Sequence, residues 1–215
     1  PSNNFATYNP IMGATMAPNS TFSNGNTSVI CAGTDYRPFG STIGVSKGKW
    51  YAEFKTNNAP GDGMVGIFAD TGSASGNELG ETAYQYGWYN NAAGTIRNNN
   101  ATLVSSVGTY TTSDIVGIAL DCDNNKLYMH KNGTYITNGS GTGDPTAGTN
   151  GISIADALDG AFGFYFMTAM DWGGGTRGDW DANFGNGYFG TTAVSSAEAD
   201  DAGIGAMEYD VPAGY

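Results

Sequence analysis

The chain has 215 residues, of which only 13% are charged, and twenty Asp and Glu against eight Lys and Arg give a formal net charge of −12. A surface this acidic repels phosphate backbones and anionic bilayers, so neither nucleic acid nor a membrane surface is an expected partner. No apolar run approaches the ~20 residues of a membrane-spanning helix, so membrane insertion is not expected. With two cysteines, a disulfide-dense scaffold is excluded.

The composition also indicates the fold class. Thirty-four glycines and abundant Asn, Thr and Ser interrupt short apolar runs, which is typical of many strands joined by tight turns. A chain of this length fits one large β-domain with a sizeable core.

Cys31 and Cys122 lie far apart in the sequence and form no C-x-x-C pair. Two interpretations of these cysteines stay open, a free buried thiol and a disulfide.

Residues 1–27 combine Asn, Thr, Ser and Pro with isolated apolar side chains, without a helical or a strand period. They predict an extended segment that lies on the folded domain. Short strands are expected next, at 28–32 and 41–45. The predicted domain therefore begins at residue 28.

A strand with two different faces follows, and alternation divides its residues between a core face and an outer face. The core face has Trp50, Ala52 and Phe54, and the outer face, which is wet or covered by a loop, has Tyr51, Glu53 and Lys55. Core packing is the favoured interpretation of Trp50, and also of Trp88 and Trp180, which lie in later strand patterns.

Further strands are predicted at 64–69, 83–89, 103–110 and 160–170, where short apolar runs lie between turn-forming residues. In the last of them Phe162, Phe164 and Phe166 share one face.

Three stretches, 70–81, 138–151 and 171–179, are polar and predict surface loops. The second has almost no apolar side chain, so we expect it to be mobile. After the domain, which ends at residue 185, residues 186–215 predict a tail that packs on the sandwich or on a neighbouring subunit. A short helix is expected within this tail, at 193–202.

A three-stranded meander is predicted at the centre of the chain, over residues 112–137. Ile115 to Leu120 is apolar on both alternating faces, as in a strand covered on two sides, and Asp123-Asn124-Asn125 supplies the first turn. Lys126 to Lys131 alternates again and ends at Asn132-Gly133, the dipeptide that best tolerates the two positive φ angles of a type I′ turn.

These strings resemble the SPRY family. SDIVGIALD at residues 113–121, with the following hairpin, is similar to the central segment of SPRY domains, and GKWYAEF at 48–54 resembles the family's early GKWYWE strand. VGI at 65–67 with YGW at 86–88 resembles its middle, and DANFG at 181–185 its closing NFG strand. The order and spacing match over about residues 4–185.

The resemblance implies an all-β fold, an antiparallel β-sandwich of the concanavalin-like, B30.2-like SPRY type, here with extended terminal segments. It also implies binding through loops at one end of the sandwich, without catalysis. More narrowly, PSNNFATYNP at residues 1–10 and YDVPAGY at 209–215 resemble SPRY modules in structural proteins of tailed bacteriophages.

No set of residues predicts catalysis or a resident ion. His130 is the only histidine, which excludes a His-rich metal site and leaves a Ser-His-Asp triad without a nucleophile elbow. Asp121 to Asn125 resembles a calcium loop, but an EF-hand needs Gly at the sixth position and Glu at the twelfth, where Lys126 and Asn132 stand. The remaining carboxylates are dispersed. We therefore expect no enzyme activity, no metal and no cofactor.

The predicted partner-binding site is the loop between the last two strands. It combines a large aromatic with a cation, Trp172 and Arg177, flanked by Asp171 and Asp179. Tryptophan and arginine are among the residues that dominate binding hot spots, so these four residues are the candidate contact residues.

Together these observations favour a non-enzymatic structural and recognition module of a virion, as a phage tail, fibre or capsid-decorating protein in a virion or extracellular setting. Its expected partners are protein subunits of the same assembly, within which it forms part of an oligomer, and a host-surface glycan or protein is a further candidate. Two alternatives stay open: a secreted carbohydrate-binding module, and a subunit of an extracellular cell-surface filament.

Overall fold

The computed structural model describes residues 4–31, 38–58, 61–72, 78–171 and 177–215. They form an antiparallel β-sandwich, as predicted. The described strands are β1 Thr21–Ser23, β2 Ser28–Ile30, β3 Lys49–Asn58, β4 Gly63–Phe68, β5 Gln85–Tyr89, β6 Thr95–Asn98, β7 Ala101–Ser105, β8 Ile115–Asp121, β9 Lys126–Lys131, β10 Thr134–Tyr135, β11 Ile152–Ser153, β12 Phe166–Asp171, β13 Asp179–Asn183, β14 Tyr188–Phe189 and β15 Thr192–Ala193. One α-helix, α1 (Pro10–Met16), and two 3₁₀ turns, Asn24–Asn26 and Ala157–Asp159, complete the elements.

Two sheets make up the sandwich. The larger has the order β1-β2-β13-β3-β8-β9-β10, with β11 also paired to β9, and the smaller has the order β12-β4-β5-β6-β7. Strands β14 and β15 form a separate hairpin. The central meander is confirmed as β8, β9 and β10, and its type I′ turn has φ angles of 50° at Asn132 and 80° at Gly133.

The core lies between the facing sides of the two sheets. From the larger sheet it receives Phe54, Ile118 and Trp180, and from the smaller sheet Ile67 and Trp88, all of them buried. Trp88 and Trp180 both pack edge-to-face on Tyr110, at ring-centroid distances of 5.6 and 5.7 Å. The predictions that Phe54, Trp88 and Trp180 pack in the core are confirmed.

Two predictions about the strands were wrong. Trp50 shares the parity of Ala52 and Phe54 but is 43% exposed, and it lies at the start of β3, where β13 does not yet pair with this strand because that pairing begins at Glu53. The strand predicted from residue 160 begins only at Phe166, after turns at 160–164, and Phe164 is 47% exposed.

The N-terminal segment is not extended throughout. Pro10 begins α1, and the Oδ1 atom of Asn9 accepts the backbone N–H groups of Ile11 and Met12, both at 3.1 Å. An Asn cap followed by Pro is a helix-start signal, but a helix of two turns is too short to show a period in the sequence. Before it, Tyr8 is buried and forms a bridge with Ser41.

Residues 138–151 form a surface loop, as predicted, with hydrogen-bonded turns inside it, and the mobility expected of this loop stays a prediction. Two small turns are closed by the bridges Thr137–Thr142 and Asp144–Thr149. Asn138 Oδ1 accepts two backbone N–H groups within the first turn, and Asp144 Oδ1 accepts the N–H of Ala147 at 2.9 Å in the second. Short polar side chains thus order a stretch that has almost no apolar surface to bury.

The helix predicted at 193–202 is absent, and this stretch contains the end of β15, a bridge at Glu198, bends and a turn. Ser195 donates its backbone N–H to Glu208 at 2.7 Å, and Glu198 forms a bridge with Met207. Asp200 Oδ1 accepts the backbone N–H of Ile204 at 2.8 Å, and such local side-chain bonds to the backbone compete with helix formation.

Residues 206–215, here named the cover segment, lie on the outer face of the larger sheet. Val211 and Tyr215 pack there against Tyr51, Ala119 and Tyr128. No helix among the described residues is long and apolar enough to cross a bilayer. Cys31 and Cys122 are both free thiols, and burial raises the pKa of each, that of Cys122 to about 12.

Candidate functional site: a cleft beside the terminal segments

Of the four predicted contact residues, Trp172 lies outside the described residues. Asp171 is buried, and its Oδ2 atom accepts the N–H of Gly178 at 3.0 Å, which fixes the end of the loop to β12. Asp179 is half-buried and accepts from Asn57 Nδ2 at 3.4 Å. Of the three residues that the structure describes, Arg177 alone is exposed, and the contact role of this loop stays a prediction.

A different region has the shape of a binding site. A cleft of about 370 Å³, the terminal cleft, opens where the N-terminal segment, the start of β3 and the last part of the chain meet. Ligand pockets usually begin near this volume. Its lining residues are Asn4, Phe5, Ala6, Ser41, Ile43, Val45, Lys49, Trp50, Tyr51, Tyr165, Met167, Phe184, Gly185, Asp200, Asp201, Ala202, Gly205, Met207 and Tyr215.

The cleft has an apolar floor and an exposed apolar rim. Met167 and Met207 are buried, whereas Trp50 and Ile43 are 43% and 42% exposed. The indole N–H of Trp50 donates to the Lys47 carbonyl at 2.7 Å, so the ring is already held in one orientation. An aromatic side chain that is partly solvated and pre-oriented loses little conformational entropy on binding.

Charge is unevenly distributed around this rim. Asp200 and Asp201 are on one side, where Asp200 Oδ1 accepts the N–H of Ile204 at 2.8 Å and Asp201 Oδ2 that of Gly214 at 2.6 Å. Lys49 is the one cation among the described lining residues. It is already paired, because its Nζ lies 3.7 Å from Asp121 and 4.9 Å from the Tyr215 ring centroid.

A second concavity, the tyrosine groove, has a volume of about 560 Å³ and lies between the 142–146 turn and the cover segment. Tyr135, Tyr209, Asp144 and Asp210 are among its lining residues, and His130 lies at its base.

Beneath this groove lies a buried hydrogen-bond chain. His130 Nδ1 accepts the N–H of Gly133 at 3.0 Å, so in the neutral ring the proton is on Nε2, which lies 2.6 Å from the Tyr51 hydroxyl. Tyr51 in turn donates to Glu53 Oε1 at 3.1 Å. Burial lowers the pKa of His130 to about 4. Gly117 pairs with His130, and a Cβ there would lie 1.9 Å from Nε2, which explains the glycine.

Glu53 fixes the cover segment to the sheet. Its carboxylate is fully buried and accepts the backbone N–H groups of Glu208 at 2.8 Å and Tyr209 at 2.9 Å. Asn183 donates to it as well, at 3.3 Å. Burial raises the pKa of Glu53, and these hydrogen bonds oppose the rise.

The polar side chains beneath the tyrosine groove are engaged in hydrogen bonds within the protein. Both nitrogens of the only histidine are used in hydrogen bonds, and Glu53 accepts from four donors. Among the described residues no group of three or more His, Cys, Asp or Glu side chains is placed to hold a metal ion. The turn at 121–125 is closed by Asp121, which accepts from the backbone and side chain of Asn124 at 3.0 and 2.8 Å.

No protein-family model and no curated protein matches the chain. Among solved structures it is similar to the SPRY domain of human HERC1, with a TM-score of 0.56 and 12% identity, over 81% of this chain and 96% of that one. The chain has a SPRY-like fold. At this identity the likeness concerns the architecture alone, and the resemblance to phage structural proteins stays a prediction.

The sequence did not indicate the terminal cleft. Its lining comes from residues 4–6, 41–51, 165–167 and 184–215, stretches that no local pattern connects. The one available signal was the position of Trp50 directly after the Lys47-Gly48 turn, where a strand begins and burial is least complete. Its side-chain parity favoured the core interpretation instead.

Proposed function

We propose that this chain is a non-enzymatic recognition module that binds a neighbouring protein within a larger assembly, through the terminal cleft. The observation that supports it is the cleft's combination of a buried apolar floor with an exposed, pre-oriented Trp50. Exposed apolar clusters rimmed by polar groups mark interaction sites, and tryptophan is among the residues that contribute most to them. The acidic net charge argues against nucleic acid as the partner.

The finer proposal is that the assembly is a virion and that this chain belongs to its tail, to a fibre or to the proteins that decorate the capsid. Its support is the resemblance of residues 1–10 and 209–215 to phage structural proteins. Both ends of the chain contribute to the terminal cleft, through Asn4 to Ala6 and through Tyr215. A module held in an assembly by these segments would present the cleft next to its neighbours.

The test is site-specific photo-crosslinking in the assembled particle. In one variant a photoreactive phenylalanine analogue replaces Ile43 at the cleft rim. In the matched control variant the same analogue replaces Leu158, which is 61% exposed and does not line the cleft. We expect position 43 to crosslink to one neighbouring subunit and position 158 to none. Crosslinks from neither position, or equal crosslinks from both, would contradict the proposal.

Negative-stain microscopy of the purified chain separates the virion proposal from a self-assembling filament. We expect discrete particles at micromolar concentration, because the cleft is proposed to bind a different protein. Fibres made by the isolated chain would instead favour the filament subunit.

A second candidate function is glycan binding, which the tyrosine groove favours. Tyrosine rings stack on sugar faces, and the carboxylates of Asp144 and Asp210 can accept hydrogen bonds from sugar hydroxyl groups. A glycan array is the direct test. Hits that disappear in Tyr209→Ala but not in Trp50→Ala would assign the groove to a saccharide, and an array without hits would remove this candidate.

A further inference from the structure

We infer that the terminal cleft binds a segment in which an aromatic or aliphatic side chain is flanked by Lys or Arg. This inference rests on the proposed function and specifies the chemistry of the partner.

The apolar part of the partner is required by the floor and rim of the cleft. Buried Met167 and Met207 offer adaptable sulfur-containing surface, and Trp50 and Ile43 add exposed apolar area beside them. Methionine packs well against aromatic rings and adapts to different shapes. A single large apolar side chain inserted here would contact the two methionines and remove the exposed surface of Trp50 and Ile43 from water.

The basic part is required by charge. Asp200 and Asp201 bring two carboxylates to the rim, and both are oriented by backbone N–H groups rather than by a cation. The cation at the cleft, Lys49, is paired with Asp121 and lies over the Tyr215 ring. The chain as a whole carries −12, so an acidic segment would be repelled on approach and a basic one attracted.

The experiment uses a yeast-displayed library of random octapeptides, selected on the full chain and counter-selected on Trp50→Ala. We expect the peptides that depend on Trp50 to be enriched in Lys or Arg within two positions of an aromatic or aliphatic residue. Trp50-dependent peptides that are neutral or acidic would overturn the inference while leaving the proposed function intact. No Trp50-dependent peptide at all would overturn both.

The strongest selected peptide then separates charge from shape. The double variant Asp200→Asn with Asp201→Asn keeps the oxygen acceptors of both caps, so we expect the fold to persist and the affinity to fall about fivefold or more at low salt. The matched control, Asp156→Asn with Asp159→Asn, changes one turn-capping and one exposed carboxylate outside the cleft and should leave affinity unchanged. Equal affinities for both double variants would overturn the inference.

Discussion

The two faces of the larger sheet are both buried, but by different means. On the inner face Phe54, Ile118 and Trp180 pack against the smaller sheet as an apolar core. On the outer face of this sheet, β3 and β9 present Glu53 and His130 under the cover segment. Apolar burial is non-directional, whereas a buried carboxylate is stable only with its hydrogen-bond donors in place.

The outer face therefore depends on particular contacts. Glu53 has no cation within ion-pairing distance among the described residues and relies on N–H and O–H donors alone. Loss of one such donor leaves charge unsatisfied, whereas loss of one core methyl group leaves only a void. The inner face should therefore determine global stability, and the outer face the attachment of the cover segment.

The largest expected effect is on the inner face. Phe54→Ala removes a fully buried ring that contacts Tyr8 and Phe184, at centroid distances of 6.2 and 5.7 Å. We expect the free energy of unfolding to fall by about 3–5 kcal/mol, measured by urea denaturation. Lys55→Ala, the next residue of the same strand, should cost under about 1 kcal/mol. Equal losses of unfolding free energy in the two variants would show that Phe54 is not part of the core between the two sheets.

The next effect is a dependence of stability on pH that arises on the outer face. Burial lowers the pKa of His130 from 6.5 to about 4, so between these values the unfolded chain binds this proton and the folded protein does not. Stability is therefore lost as pH falls from about 6.5 to about 4, by about 3 kcal/mol in total. Protonation of Nδ1 would also break its bond from Gly133.

Three tyrosines, Tyr51, Tyr135 and Tyr209, face the His130 ring, and Glu53 lies beyond Tyr51. The raised pKa of Glu53 acts in the opposite sense, because the folded protein takes up that proton more readily than the unfolded chain. His130→Gln isolates the histidine: its unfolding free energy should fall less steeply over this pH range than that of the unchanged protein. Parallel pH profiles would contradict the assignment.

A smaller and more local effect is expected for Glu53→Gln. An amide offers one acceptor oxygen where the carboxylate offers two, so one of the Glu208 and Tyr209 N–H groups loses its partner. We expect about 1–3 kcal/mol of destabilisation, concentrated in the cover segment. Hydrogen exchange at these two amides should accelerate while β3 and β8 stay protected. Glu198→Gln, the same chemical change on a partly exposed side chain, should alter neither.

The fold was predictable because its signals are local. The alternation of Ala52 and Phe54 and the Asn132-Gly133 turn each occupy a few neighbouring residues. The partners of Glu53 were not predictable, because they are backbone N–H groups 155 and 156 positions away. Almost every residue type carries such a group, so no sequence pattern marks the ones that bind Glu53. The terminal cleft has the same origin, since it exists only where both ends of the chain meet.

The smallest effect on stability is expected for Trp50→Ala, at the boundary between the two faces. The ring is 43% exposed and held by one hydrogen bond to Lys47, so its removal should cost about 1 kcal/mol in urea denaturation. Trp180→Ala, the matched loss of a fully buried indole, should cost about 3–5 kcal/mol. When Trp50→Ala is combined with the photoreactive residue at position 43, the crosslink to the neighbouring subunit should be lost. The reason is that the partner no longer has the indole ring of Trp50 to bind. Similar stability losses for the two tryptophans would place Trp50 in the core and remove it from the cleft.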